Sequence, residues 1–399
     1  MVVIQVAQVA AMGLGRDTDG KRYREYSHRW MSGEAPYRDF SPEYPPGSML
    51  IFSAAYLFSG NDNNAFRKAF AVEMGLFFLF TAMLVLAHGW KLWPDSVGRR
   101  VCAVILFVAA AAALTPFIHR RFDIVVAALV LAALLLRPSV GAFVLGIAVA
   151  VKLWPLFLLP LFFVEAWRAA RRDAVRCLGA FAAGALLPVL PFAIRAGPAV
   201  LGFLGYHASR GIQVESVWAL PMFIFESLGL TPVTVTYKYG ADQVLSSLTP
   251  WMLGVSTVAL IVLTMLPVVL LCIRRVDVSY RRRLGAAAAM VIGIFLGSKV
   301  LSPQFFLWSA PLLAIIAVDR PRREAFHVSL LVLAVPVCTA AIFFLGYRDL
   351  CSSPKFAAYV VSFYRLALMV WLYVLAVRHG CESSSVRPGC DHHSSRSLL

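Results

Sequence analysis

The stretch DTDGKRYREYSHRWMSGEAPYRDFSPEYPP, residues 17–46, sets Asp17, Asp19, Asp39 and Glu43 among several Lys and Arg, with apolar sequence on both sides. The rest of the chain is nearly continuous hydrocarbon, so a long charged loop has no packing reason to hold carboxylates at the edge of a bilayer. Loops on the rim of a rigid scaffold concentrate binding and catalytic groups. The remainder of the chain therefore reads as a frame around this loop.

That frame is apolar. Of 399 residues, 60% are hydrophobic and only 15% are charged, and mean hydropathy is +0.75. A soluble domain of this length cannot bury so much apolar side chain, so the chain reads as an all-α polytopic membrane protein. A net charge of +16 would raise nucleic acid as a partner of a soluble protein. Here the positive-inside bias and anionic lipid account for it, and hydropathy excludes a soluble nucleic-acid binder. The cysteines are scattered, and only Cys351 falls in a segment placed outside the cell, so neither a disulfide framework nor a CxxC metal site follows. The opening MVVIQVAQVAAMG lacks the basic flank and cleavage region of a signal peptide. Residues 1–14 span only about 21 Å of a roughly 30 Å hydrocarbon core, which points to a start upstream of Met1.

Within the opening loop, Tyr23, Tyr26 and Trp30 share one helical face, and Lys21, Arg22, Arg24 and Arg29 surround it. This predicts an amphipathic helix over 20–32 in the interface, its aromatics at headgroup level. Segment 45–60 begins Tyr-Pro-Pro and is short for a crossing. Apolar runs follow at 66–88, 99–118, 122–136, 139–151, 155–167, 176–194, 250–273, 284–300, 304–318, 326–345 and 357–378. With 15–44 outside and 45–60 not crossing, the basic clusters at Lys91/Arg99/Arg100, Arg137, Arg168–Arg176, Arg274–Arg283 and Arg320–Arg323 all fall inside, as the bias requires. The opposite parity turns most of them outward.

This topology leaves Arg120, Arg121, Lys152, Arg210 and Lys299 outside, near membrane level, on the side of the carboxylate loop. Charges that break the bias are functional candidates, against the blander reading of side chains snorkelling to headgroups. Runs 139–151 and 155–167 are each short, and they meet at Lys152-Leu153-Trp154-Pro155. A broken helix is tolerated where its freed backbone lines a polar cavity, so Lys152 is expected to face one. The organisation is one transmembrane domain over 1–378, with extracytoplasmic loops at 15–46 and 195–249, and a polar cytoplasmic tail at 379–399. Cys381, Cys390, His392 and His393 in that tail could hold a metal, but its Ser-rich composition reads as disorder.

The ordered set D-x-x-x-Y (Asp19–Tyr23), GEAPYRDFSPEYPP (33–46), RFD (121–123), GIAVAVKLWP (146–155), HASRGIQVES (207–216) and KVLSPQFFLW (299–308) resembles glycosyltransferase family 87. The resemblance covers residues 16–310; it departs in its short first helix and in Gly20, where an apolar residue is commoner. It implies a GT-C-type glycosyltransferase with roughly 11–13 membrane helices and an outward-facing catalytic loop. The family's actinobacterial mannosyltransferases take polyprenyl-phosphomannose, so the resemblance implies a lipid-linked sugar donor and a glycolipid or polysaccharide acceptor. It also places the catalytic base just after the first helix. Motif spacing favours Asp19, with Asp17 as competitor and a helix N-cap as the structural alternative for Asp19.

Transfer from a lipid phosphate needs a base for the acceptor hydroxyl, worth ~10²–10⁴ in rate, and cations at the leaving phosphate. The cation candidates are Lys299, Arg210, Lys152 and Arg121, with His207 as a further donor. One carboxylate without a partner nucleophile suggests single displacement with inversion. Glu43 is read as orienting the loop or binding an acceptor hydroxyl, and Asp123 as pairing with Arg121 or another cation. Glu215 and Gln304 are read as contacts to sugar hydroxyls or as helix-end caps. Trp154 and Trp308 are candidates for packing a sugar or polyprenyl chain, or for interface anchoring. No cofactor is expected; no HExxH or carboxylate pair marks a metal site, though a divalent ion at the phosphate stays open. The rival readings are an arabinosyl- or glucosyltransferase, a secondary transporter and a non-catalytic membrane scaffold.

Overall fold

The computed structural model describes residues 18–274, 278–347, 351 and 356–381. The expectations for residues 1–14, for Asp17 and for the tail bearing Cys390, His392 and His393 lie outside the described residues. Each apolar run in the described residues becomes a helix, and the all-α polytopic expectation holds. Asn63–Leu92, Arg171–Ser209, Thr249–Ile273, Arg322–Phe344 and Tyr359–Cys381 are long and apolar enough to cross a membrane. Shorter apolar helices, among them Gly47–Ser59, Asp123–Leu135 and Pro138–Val151, pack with them.

Local chemistry sets the ends of these helices. Asp62 caps the helix Asn63–Leu92 by accepting from Ala65 N–H at 2.6 Å, and Ser96 accepts from Arg99 N–H at 3.4 Å at the start of Val97–Ala112. Pro138 opens the helix Pro138–Val151 at a position where its missing N–H is harmless. Lys152 is the extended residue that closes this helix, and a 3₁₀ turn, Trp154–Leu158, follows through Pro155 before Leu159–Ala169 resumes. The broken helix read at Lys152–Pro155 is therefore present.

Small residues bring these helices together. A Cβ on Gly184 would lie 2.0 Å from the Phe143 carbonyl oxygen, and one on Gly146 2.3 Å from that of Phe181. Helices Pro138–Val151 and Arg171–Ala196 thus touch backbone to backbone, an approach that only small residues permit. In the middle of the bundle runs Tyr280–Gly297, buried at every position from Arg282 onward, and Phe306–Asp319 is almost as enclosed. The outer helices present Leu76, Leu79 and Met83, Leu186, Leu190 and Ile194, and Val258 and Ile261 outward. A surface this apolar belongs against hydrocarbon.

The amphipathic helix forms as Thr18–Met31, and its aromatic face packs against protein. Tyr23 is fully buried and stacks on Phe52 at 4.2 Å, while Trp30 packs on Phe192 at 4.8 Å. Protein fills the place assigned to lipid, because helix Gly47–Ser59 folds beneath this face.

The 195–249 connection is richer than a loop. It holds helices Gly202–Ser209 and Ala219–Ser227 and a three-stranded antiparallel sheet in the order β1-β3-β2. β1 is Ile212–Gln213, β2 Thr234–Lys238 and β3 Ala241–Leu245. β2 and β3 join through Tyr239 (φ 53°) and Gly240 (φ 73°), a two-residue turn with both residues left-handed. Gln213 N–H donates to Lys299 C=O at 2.9 Å, and Ser216 Oγ to Ser298 C=O at 2.8 Å. The sheet is thereby clamped onto the 298–302 loop.

Candidate active site

The first helix, the RFD turn, the Lys152 break, the sheet and the 298–304 loop converge on one cavity of about 420 Å³. Asp19, Glu43, Arg121, Lys152, His207, Arg210, Glu215, Lys299 and Gln304 all line it. Asp123 does not; it stands just behind the wall. Six separated motifs of the sequence therefore meet in space.

The first turn of helix Thr18–Met31 carries Asp19, so Asp19 sits inside the helix rather than at an N-cap. Its carboxylate pairs with Arg121 and lies 3.9 Å from Arg22 Nη1, which in turn donates to Glu43 Oε1 at 2.6 Å. Asp19, Arg121, Arg22 and Glu43 form one continuous ion-pair chain on the cavity wall. Burial pulls the Arg121 pKa down, but the neighbouring Asp19, with Tyr23 and Tyr44, more than offsets it and holds the guanidinium above its ordinary value. Sequence reading placed Arg22 on the polar face of an interfacial helix and missed this role. The signal was its i,i+3 spacing to Asp19; its link to Glu43, 21 positions on, exists only in three dimensions.

Behind this chain, Asp123 opens its helix and is 1% exposed. Lys152 Nζ donates to Asp123 Oδ1 at 2.6 Å and Trp308 Nε1 to the same oxygen at 2.7 Å. Of the two options left open for Asp123, its partner is therefore Lys152 rather than Arg121. Trp154 and Trp308 stack at 4.6 Å and 12° on the cavity wall, both buried; neither anchors to an interface. A Cβ on Gly47 would stand 2.7 Å from Ala150 C=O. Glycine at this point lets the Glu43-Tyr-Pro-Pro segment close against the Lys152 junction.

Two other lining cations form no ion pair with a carboxylate among the described residues. Lys299 Nζ donates to Ala208 C=O at 3.0 Å, and Arg210 Nε is buried with no hydrogen-bond partner. Burial and the proximity of Arg210 both lower the Lys299 ammonium pKa. Two like charges held together without an acid are a favourable receptor for an anion. Deeper, Gln213 Nε2 donates to Glu215 Oε2 at 3.0 Å and lies 3.3 Å from Ser302 Oγ. Glu215 Oε1 has no partner, and burial, with Asp242 nearby, pushes the carboxyl up to about 8. Such a group donates as well as accepts at neutral pH. Leu153, Trp154, Phe157, Leu260 and Phe343 make the remaining lining apolar. The cavity thus joins a carboxylate, a cation pair, an array of hydroxyl-bonding groups and a hydrocarbon-like flank. Among the described residues no cluster of His, Cys, Asp and Glu could hold a metal ion.

A family model described as glycosyltransferase family 87 matches residues 43–303. Among solved structures, ArnT from Cupriavidus metallidurans bound to undecaprenyl phosphate is 15% identical with a TM-score of 0.48, covering 95% of this chain and 77% of that one. The same enzyme in the apo state gives 16% identity, a TM-score of 0.46 and the same coverage. Comparison with curated proteins finds no match.

Proposed function

The chain belongs to glycosyltransferase family 87 and is a membrane glycosyltransferase, and on that premise we propose that it moves a hexose, mannose first among the candidates, from a polyprenyl-phosphate sugar to an acceptor hydroxyl on the extracytoplasmic side. The observation that carries this reading is that Asp19 and the cations Lys299 and Arg210, which form no ion pair with a carboxylate among the described residues, line one cavity with an apolar flank.

In the proposed reaction Asp19 accepts the proton of the acceptor hydroxyl as that oxygen attacks the anomeric carbon. The bond from that carbon to the phosphate oxygen breaks, and its electron pair leaves on the phosphate. Lys299 and Arg210 take up the developing charge, with His207 alongside. Arg121 and Arg22 orient the Asp19 carboxylate, and Glu43 fixes Arg22. Lys152, held by Asp123, adds positive potential to the same side without its own contact to the phosphate. Glu215 and Gln304 are assigned to sugar hydroxyls. One base and no second carboxylate placed as nucleophile favour single displacement with inversion.

The lipid tail of such a donor must reach the cavity from the bilayer. Leu153 and Phe157 line the cavity while Leu156, in the same 3₁₀ turn as Phe157, is exposed. This supports sideways access at the Pro155 break. Membranes containing the protein, given radiolabelled polyprenyl-phosphomannose, should transfer label, and Asp19→Asn should abolish transfer while the protein stays folded. Full activity in Asp19→Asn would remove Asp19 as base. Absence of transfer by the wild-type protein from mannosyl, arabinosyl and glucosyl donors alike would overturn the reading.

A further inference from the structure

The β2–β3 hairpin contributes Tyr237, Tyr239, Gly240 and Ala241 to the cavity lining. Tyr237, on the edge strand, is 67% exposed nonetheless. Gly240 sits against the catalytic loop: a Cβ there would be 3.6 Å from Arg22 Nη1 and 3.4 Å from Tyr206 Oη. Tyr206 Oη donates to Tyr239 C=O at 2.6 Å, and the two rings meet edge to face at 5.5 Å. The hairpin tip is therefore fixed beside Arg22, in the ion-pair chain that holds Asp19.

The turn also carries a residue that turn chemistry does not ask for. The first position of a two-residue turn with both φ positive favours Asn, Asp or Gly. A bulky side chain at φ 53° costs about 1 kcal/mol or more. Tyr239 keeps that conformation, and its ring stands next to Tyr206. Rings held edge to face, with an exposed third ring beside them, offer apolar faces near a base that must receive a hydroxyl. Pyranose rings, with axial C–H groups on one face and hydroxyls around the rim, match such faces, while Glu43 and Gln213 supply rim partners.

We propose that Tyr206, Tyr237 and Tyr239 form the acceptor platform, and that the acceptor is a glycan whose terminal sugar ring stacks there with one hydroxyl at Asp19. This rests on the glycosyl-transfer reading above and narrows its acceptor to a carbohydrate. The hairpin tip stands beside Arg22, in the ion-pair chain that holds Asp19, and this assigns the rings to the acceptor that Asp19 deprotonates.

The test uses the full chain in lipid nanodiscs, with polyprenyl-phosphomannose as donor and methyl α-D-mannopyranoside as acceptor probe. Tyr239→Gly removes the ring while suiting the left-handed turn, and Tyr237→Ala removes the exposed ring. Each should raise the KM for the glycoside about tenfold and leave the donor KM and donor turnover to water unchanged. Tyr239→Phe and Tyr237→Phe, which keep the rings, should restore the KM. An unchanged glycoside KM overturns the platform, and an equal rise in the donor KM overturns it by assigning the rings to the donor sugar. If the wild-type protein turns over neither this donor nor its arabinosyl and glucosyl counterparts, the transfer reading fails. Saturation-transfer NMR then decides the platform alone: glycoside binding lost in both ring-deleted variants supports it, and no binding to the wild-type protein overturns it.

Discussion

At one end of the bundle Asp19, Arg121, Arg22 and Glu43 run along the wall of a cavity, and at the other Asp319 is closed in by its neighbours. Asp319 Oδ1 accepts from Trp93 Nε1 at 2.8 Å and from Arg281, and its Oδ2 lies 3.4 Å from His379 Nε2. Nearby, Arg283 caps the helix Asp123–Leu135 by donating to Ala133 and Leu136 C=O, each at 3.0 Å. That end is wired from helix to helix. The Asp19 end uses the same residue types but leaves Arg210 Nε and Glu215 Oε1 without partners beside open volume. Buried charge that closes on itself joins helices, whereas buried charge left facing a cavity is available to a ligand.

The sharpest way to break this contrast is to neutralise one carboxylate at each end. Asp19→Asn should cut transfer by ~10²–10⁴, far more than is explained by the modest drop in thermal midpoint from leaving Arg121 without its partner. Asp319→Asn should do the reverse, costing about 2 kcal/mol of stability while turnover per folded molecule holds. Parallel assays and thermal melts of both variants in nanodiscs would read it, and a shared pattern of loss would erase the distinction between the ends. A smaller effect separates the cations Lys299 and Arg210 from the Asp19 chain. Lys299→Gln and Arg210→Gln should each lower kcat/KM for the donor by ~10–100-fold, with the acceptor KM intact.

The smallest effect is on pH. The Glu215 carboxyl, raised by burial to about 8, binds its proton in the folded protein across a range where the unfolded chain has released it. Stability from this group is therefore present at low pH, falls as pH rises from the ordinary glutamate range towards 8, and levels off above that. Thermal midpoints between pH 5 and 9 should show this decline, and Glu215→Gln should flatten it. Asp39, held down at about 2 by Arg38 and the Ala35 N–H, is constant over that range and will not mimic the effect.

Helices were legible from sequence because a run of apolar residues long enough to form one is visible without its neighbours. Lys152-Leu153-Trp154-Pro155 announced its own break, since Pro155 removes a donor and Lys152 has no place in hydrocarbon. The motif residues lining the cavity were legible as a group, because charges such as Arg121, Lys152 and Lys299 broke the topology's sign pattern. Which acid meets which base was not. Asp19–Arg121 and Asp123–Lys152 are set by the packing of helices, and swapping the partners would leave every sequence signal the same. The sheet was hidden for another reason: β2 is five residues at an edge, and its turn is Tyr-Gly where Asn-Gly would have advertised a hairpin. The aromatic face of Thr18–Met31 was visible, but sequence could not say whether lipid or Phe52 would cover it.

Lys152 and Asp123, bonded 29 positions apart, sit at matching ends of the hairpin Asp123–Lys152, which gives this pair a part in biosynthesis as well. As the nascent chain leaves the ribosome, that hairpin can enter the membrane with the charges at its two ends paired and Arg137 left at its turn, long before Trp308 exists to complete the cluster. A lone Asp or Lys at a helix centre costs about 3 kcal/mol on insertion scales, less near the ends. We therefore expect Lys152→Leu to impair membrane integration of chains truncated ahead of Trp308, read by glycosylation-site mapping, and a second change, Asp123→Leu, to restore it.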